Sequence, residues 1–373
     1  MNILTRGRMR KPDAWLTLVV FALVIWGLIS VYSASVVISL SEFGNPYHYL
    51  IRQAIALLIG IAAWFFIQYI DYHKWRKYAG WFLAISFVLL ILVLLPIGSI
   101  APTLGGAKRW LFFGPFNFQA SEIAKPLFSI YLASWLATNK EKISQFFQGI
   151  LPYWFLVGAV ALLILLEPDL GTALVFLGAG VVLFFIAGAK WYHVTSVFIV
   201  GIIAIILISV ISPYRLARLT TFLNPSSDPL GIGYHTQNIS IAIGSGGLWG
   251  EGFGNSKQKY FYLPEAHTDS IFAVIAEELG FLRSFPLIIL FAILIWRGIL
   301  IARAAPDDFG RFLALGIISW FAMQVAINLG GMLGVLPLTG VPLPFFSAGG
   351  SALVVSLIAM AILLNISRQR RVE

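Results

Sequence analysis

The feature that most limits what this chain can fold into is a succession of ten apolar segments, each close to the thickness of a bilayer. They cover residues 14–32, 50–70, 79–95, 120–137, 150–166, 170–189, 194–211, 271–296, 312–335 and 347–366. A hydrocarbon core of about 30 Å is crossed by about 20 helical residues. Backbone in lipid must satisfy its own hydrogen bonds, and nothing here alternates as barrel strands do, so the segments are expected to be helices. With 59% hydrophobic and 11% charged residues, a soluble globular domain is excluded. The expected fold is an all-α polytopic membrane protein of ten transmembrane helices, a single domain over residues 1–373.

An even number of crossings puts both termini on one side. That side receives Arg6, Arg8, Arg10, Lys11, Lys74, Arg76, Lys77, Lys140, Lys142, Lys190, Arg297, Arg303, Arg311, Arg368, Arg370 and Arg371, which is 16 of the 25 Lys and Arg. The positive-inside rule then assigns both termini to the cytoplasm. The net charge of +9 reports orientation and contact with anionic membrane lipids rather than nucleic acid. Acids lean the other way: Glu42, Glu122, Glu167, Asp169, Asp228, Glu251, Glu265, Asp269, Glu277 and Glu278 lie at or beyond the outer face. A pore would distribute charge through the membrane, so chemistry is expected at the outer surface. Ser33-Ala34-Ser35 faintly resembles a signal-peptidase site, but the first apolar run is long enough to span and reads as an uncleaved helix.

Zero cysteines exclude disulfides, thiolate metal sites and cysteine nucleophiles. Carboxylates, amines, guanidinium groups, imidazoles and hydroxyls remain. The connection 213–269, between the seventh and eighth helices, is far longer than ordinary interhelical loops, and long ordered loops usually carry function. Its many glycines fit a flexible linker, yet Tyr234, Ile239, Ile241, Leu248, Trp249, Tyr260, Phe261 and Tyr262 fit an ordered extracytoplasmic lid better.

The loop ends on Leu263-Pro264-Glu265-Ala266-His267-Thr268-Asp269, ahead of a helix bearing Glu277, Glu278 and Arg283. Asp269 alone reads as a helix N-cap. Crowding of His267, Asp269, Glu277 and Glu278 at a membrane boundary adds weight to a functional reading. The two glutamates point about 100° apart on a helix and cannot face each other, so one is expected toward the bundle and the other toward a basic partner. Five His without a cluster argue against a permanent metal site.

A second constellation joins Lys108-Arg109-Trp110 to Ser121-Glu122-Ile123-Ala124-Lys125. Glu122 and Lys125 share a helix face and can form an intrahelical ion pair. Charged side chains in membrane helices more often line cavities, where Lys125 and Arg109 would hold the phosphates of an anionic substrate. A third is Glu167-Pro168-Asp169-Leu170-Gly171-Thr172, in which Asp169 either caps the next helix or serves the site.

Together with Asn224-Pro225, Asp228-Pro229, Glu277-Glu278-Leu279-Gly280, Pro342-Leu343-Pro344 and Gly349-Gly350-Ser351, these motifs resemble the SEDS family, the FtsW, RodA and SpoVE proteins, over nearly the whole chain. Gly254-Asn255-Ser256 and Gln258-Lys259 resemble the FtsW-like division branch more than RodA. Four positions depart from the family pattern: Ser270 stands for a usual Phe, Ala120 for Pro, Arg283 for Gly and Ala348 for Tyr.

The resemblance implies a peptidoglycan glycosyltransferase that polymerises lipid II at the outer face of the bacterial cytoplasmic (inner) membrane, for cell division or cell-shape wall synthesis. It implies a class B penicillin-binding protein as transpeptidase partner, with other divisome or elongasome membrane proteins. Asp269 corresponds to the essential aspartate and becomes the expected general base. Arg109, Glu122, Lys125, Lys108, His267, Thr268, Glu265 and Ser347 become expected substrate-binding residues. A divalent cation (Mg or Mn) can assist the departing diphosphate without a permanent site. The rival readings are a lipid II flippase and a non-catalytic scaffold for the transpeptidase.

Overall fold

The computed structural model describes residues 11–369 apart from 99, 104–105, 115, 212 and 225–230. Arg6, Arg8, Arg10, Pro225, Asp228, Pro229, Arg370 and Arg371 lie outside the described residues. The helices are α1 (Ala14–Phe43), α2 (His48–Ile67), α3 (His73–Lys77), α4 (Ala79–Leu94), α5 (Ala120–Asn139), α6 (Leu151–Leu166), α7 (Leu170–Ile186), α8 (Trp191–Ile211), α9 (Pro213–Leu223), α10 (Ile232–Gly246), α11 (Ile271–Arg303), α12 (Asp308–Met332) and α13 (Gly350–Arg368). Each of the ten apolar segments overlaps one of them. Among the described residues six helical stretches are long and apolar enough to cross a membrane: α1, α2, Phe146–Leu166, α11, α12 and α13; α4 and α7 are shorter and apolar. The chain is a helical polytopic membrane protein.

The expectation of an all-α chain needs one correction. Trp110–Phe113 (β1) and Phe116–Gln119 (β2) form an antiparallel hairpin with Trp110 opposite Gln119. Aromatic residues dominate both strands and favour a pleated, half-buried ribbon. The hairpin leads straight into α5 and so orients its first turn.

At the centre stands α12, which packs against α5, α7 and α11. It is mostly buried, whereas α2 buries only Gln53, Ala56, Gly60 and Trp64. Leu58, Phe66, Trp81, Val88 and Phe155 point outward as exposed apolar side chains, the expected surface toward lipid. Ser33, Ala34 and Ser35 are buried inside α1, as befits a helix rather than a cleavage site.

One helix is broken. Gly280 in α11 has φ 72° and ψ 176°, a conformation natural only to glycine. The break would strand main-chain donors and acceptors in an apolar setting. The segment 247–252 fills it: Glu251 and Gly252 N–H donate to the carbonyls of Glu277 and Glu278, each at 3.0 Å. In return Phe281 and Leu282 N–H donate to Gly247 (2.9 Å) and Leu248 (3.1 Å). A Cβ on Gly280 would overlap the main chain of 248–250, and one on Gly250 the main chain of 278–279.

About 30 Å along α12 from Asn328, the opposite end is clasped by His73. Its imidazole lies between Asp71 (2.7 Å) and Asp307 (3.0 Å). The bond to Asp307 first, then that to Asp71, outweighs burial and holds the imidazole up at about 9, so it is charged at neutral pH.

Candidate active site

Asp269 sits one residue ahead of the α11 N-cap, which is Ser270. It is therefore not the helix cap that sequence alone allowed. A tight turn puts it there: Thr268 and Ser270 N–H both donate to the Glu265 carbonyl, at 3.1 and 3.2 Å. Thr268 Oγ1 donates to Glu265 Oε2 at 2.7 Å and lies 3.4 Å from Asp269 Oδ1. His267 is buried against the Tyr49 ring at 4.5 Å, and burial pushes its imidazole down toward the neutral form. Four expected site residues, Glu265, His267, Thr268 and Asp269, thus share one turn.

The second wall is the loop between α12 and α13. Ser347 Oγ donates to the Thr268 carbonyl at 2.6 Å, and Ala348 N–H donates to the His267 carbonyl at 2.9 Å. Ser347 thereby joins the expected set through main-chain contact. The Asp269 carboxylate faces Gly340, whose position would bring a Cβ within 3.5 Å of Oδ2.

Three buried carboxamides fix this wall, and sequence reading had not singled out any of them. Asn328 Nδ2 donates to the carbonyls of Asp269 and Val341, both at 2.8 Å. Gln324 Nε2 donates to Pro342 O at 2.8 Å. Gln53 Nε2 donates to Ser347 O (3.3 Å) and its Oε1 accepts from Gly349 N–H (3.2 Å). A buried amide in an apolar helix is expensive unless hydrogen-bonded, and that expense was a signal available in the sequence.

The cations expected at phosphates have other partners. Lys125, 3% exposed, pairs with Glu122 at 2.7 Å, donates to Gln324 Oε1 at 2.8 Å and lies over the Trp320 ring. The Glu122–Lys125 pair is thus the intrahelical one, and through Gln324 it reaches the Pro342 carbonyl. Arg109 donates to the carbonyls of Glu167 (3.3 Å) and Pro168. Lys108 is half-buried on the connection leading to β1. Asp169 caps α7, accepting from Thr172 N–H at 3.0 Å and Thr172 Oγ1 at 2.9 Å. Burial, with Asp169 adding to it and Arg109 opposing it, pushes the Glu167 carboxyl up to about 9.

Glu277 and Glu278 are both buried and divide their work. Glu277 accepts from Ser256 Oγ (2.5 Å) and Lys257 N–H (2.9 Å), so it holds the loop by its turn. Glu278 accepts from Ser33 Oγ (2.7 Å) and pairs with Lys259 (2.9 Å), the basic partner expected for one of the two. Within the described residues the long connection is built of α9, α10 and this docked segment.

Electrostatics single out Asp269. Burial first and the Glu265 carboxylate second push its carboxyl up to about 7, while Arg218 and the Thr268 hydroxyl pull the other way. Arg218, on α9, and His235, on α10, had not been identified from sequence. His235 Nε2 lies 2.8 Å from Ser270 Oγ, a hydroxyl present only because Ser270 departs from the family pattern. Burial and Arg218 hold His235 down at about 4, so it is neutral at physiological pH. Among the described residues no three His, Asp or Glu side chains are grouped to hold a metal ion.

Fold and site together define a helical polytopic membrane protein with a buried carboxyl just ahead of a broken helix. The chain belongs to the FtsW, RodA and SpoVE family of cell cycle proteins, whose family model matches residues 13–372. It is 42% identical over 361 residues to stage V sporulation protein E of Bacillus subtilis, covering 97% of this chain and 98% of that one. It is also 42% identical over 358 residues to the probable peptidoglycan glycosyltransferase FtsW of Coxiella burnetii, covering 95% and 96%. Among solved structures it resembles a chain of a peptidoglycan synthase complex that coordinates polymerization and crosslinking, with a TM-score of 0.78, 30% identity and coverage of 96% and 98%. It also resembles the rod shape determining protein RodA of Thermus thermophilus, with a TM-score of 0.70, 30% identity and coverage of 97% and 98%.

Proposed function

We propose that this chain is a peptidoglycan glycosyltransferase that polymerises lipid II into glycan strands at the outer face of the bacterial cytoplasmic membrane. The observation that carries the reading is Asp269, fixed by its main chain and carrying a carboxyl pushed up to about 7. A general base works best when its pKa lies near the working pH. Asp269 takes the proton of the acceptor sugar hydroxyl as that oxygen attacks C1 of the donor sugar, and the lipid diphosphate departs with inversion. Glu265, His267 and Thr268 shape the turn under the acceptor, and Ser347 ties that turn to the opposite wall. Lys125 and Glu122 act through Gln324 on the Pro342 wall.

All ten apolar helices cross the membrane as one domain, with both termini in the cytoplasm and the connection 213–269 outside; the skew of Lys and Arg supports this arrangement. Asp269 and Glu265 are the carboxylates that would offer oxygen donors to a Mg or Mn ion carried in on the diphosphate, and such an ion would supply positive charge for the departing group. The partner is a class B penicillin-binding protein, a reading supported by the likeness to a chain of a peptidoglycan synthase complex.

The test is glycan-strand formation from purified lipid II by the wild type and Asp269→Asn, with and without the transpeptidase and divalent cation. Polymer from the wild type alone supports the reading. Polymer from a folded variant within a few-fold of wild type would remove Asp269 from the chemistry. No polymer from either protein, beside lipid II movement between leaflets of proteoliposomes, would favour a flippase.

A further inference from the structure

Asp269 and Ser270, neighbours in sequence, are held from two different helices. Asn328 on α12 donates to the Asp269 carbonyl, and His235 on α10 meets the Ser270 side chain, with Nε2 2.8 Å from Oγ. Ser270 is fully buried at the N-cap of α11, where a serine hydroxyl ordinarily accepts a bond from the first helical N–H groups. This one makes no such bond and turns to α10 instead. The Ser270 main chain is committed as well: its N–H donates to the Glu265 carbonyl at 3.2 Å and its carbonyl accepts from Ala273 N–H at 3.0 Å.

The helix that supplies His235 is itself firmly seated on α11. Ile239 and Ala242 of α10 are buried, and a Cβ on Gly246 would overlap the main chain of Ala276 and Glu277. α10 is therefore fastened near both ends, by backbone approach at Gly246 and by a side-chain bond at His235. Burial and the Arg218 charge keep the imidazole neutral at physiological pH. A neutral imidazole has one donor and one acceptor nitrogen, and a hydroxyl complements either, so the bond forms in both tautomers.

We infer that His235 is a positioning residue for Asp269, holding through the Ser270 hydroxyl the residue that follows the carboxylate while Asn328 holds its carbonyl. The inference rests on the polymerase reading of Asp269 and makes α10 part of the support of the base. The two tethers bracket the 269–270 peptide, which sets the direction of the Asp269 side chain. With one tether gone the peptide pivots on the other, and a displacement of about 1 Å from the reacting hydroxyl can cost 10²-fold in rate. His235 bonds Ser270, so Asp269 remains the group that takes the proton.

The test is steady-state polymerisation of lipid II by the full-length protein in nanodiscs, beside residue-resolved amide hydrogen exchange on the same preparations. His235→Ala should lower kcat about tenfold and leave KM within about twofold. His235→Gln should recover most of the loss, because its amide also carries a donor and an acceptor. Ser270→Ala should lose about as much as His235→Ala, and the double variant no more than either, as two residues acting through one bond require. The pH at which kcat/KM falls should stay that of wild type in every variant. Exchange at the Ser270 and Ala273 amides should quicken in His235→Ala and Ser270→Ala but not in His235→Gln. Unchanged kcat in His235→Ala, a loss carried by KM, or additive losses in the double variant overturns the inference. So does a His235→Gln variant that melts with wild type yet recovers nothing. Should His235→Ala fail to fold, Ser270→Ala decides: wild-type kcat and exchange there also overturn the inference. Quickened exchange in a protein whose wild type makes no polymer refutes the polymerase reading and keeps the tether. Polymer at the wild-type rate from His235→Ala, with exchange unchanged, does the reverse.

Discussion

Asn328 holds Asp269 by its main chain: its side-chain nitrogen lies 2.8 Å from the Asp269 carbonyl oxygen, and the same nitrogen lies 2.8 Å from the Val341 carbonyl. One amide in the central helix therefore ties the turn that carries the carboxylate to the loop that faces it. Asn328 is neutral and bonds the Asp269 main chain, so the proton affinity of the carboxylate is left to its other surroundings.

Asn328→Ala should lower kcat on the order of 10- to 100-fold, because misplacing a reacting group by about 1 Å can cost 10²-fold. KM for the lipid substrate should change little, since Asn328 binds the protein main chain. Steady-state polymerisation in which KM rises and kcat holds would show that Asn328 shapes substrate binding instead.

Activity should depend on pH through Asp269. With its carboxyl at about 7, the base form is lost as pH falls below 7, so kcat/KM should drop about tenfold per unit there and level off above about 8. Asp269→Asn should lose roughly 10² to 10⁴ in rate. The folded state binds this proton more tightly than the unfolded chain does, so its stabilising effect is full below the unfolded pKa and declines as pH rises toward 7. The Asn variant should therefore melt no lower than wild type at pH 8; a lower Tm there contradicts the assigned shift.

Lys125→Met should destabilise the protein by about 3–5 kcal/mol by leaving Glu122 buried and unpaired. The double variant Glu122→Leu, Lys125→Met should be more stable than Lys125→Met alone. Thermal melts in detergent check the order of the two variants; equal melting temperatures would mean that the pair is not coupled.

Gly280→Ala should open the seam between α11 and the segment 247–252. A side chain in that backbone region costs of order 1–3 kcal/mol before any overlap is counted. Hydrogen exchange should accelerate at Glu251, Gly252, Phe281 and Leu282, the amides that bridge the two segments. Unchanged protection at all four amides would sink this account.

The helical membrane architecture was legible in the apolar runs, and the Glu122–Lys125 pair in its three-residue spacing. Asp269 was legible as a residue of interest, with its N-cap alternative removed only by the fold, which gives that position to Ser270. The Trp110–Gln119 hairpin was missed because aromatic strands look like any apolar stretch beside so many helices. Arg218 and His235 lay unmarked because their meaning depends on proximity to residues 35 and more positions away, which periodicity cannot report. The same limit applies to Arg109, whose acceptors are carbonyls of Glu167 and Pro168 and therefore invisible to side-chain identity.

The seam at Gly280 also sets the unit in which this part of the chain can be exchanged. Gly250 and Gly280 each exclude a side chain because of the other's backbone neighbours, and four backbone hydrogen bonds cross between the two segments. A loop grafted from a relative with its border drawn between lid and helix would carry one half of an interlocked joint. A hybrid whose borders lie before Gly246 and after Leu282 transfers both halves together, and is the one expected to assemble.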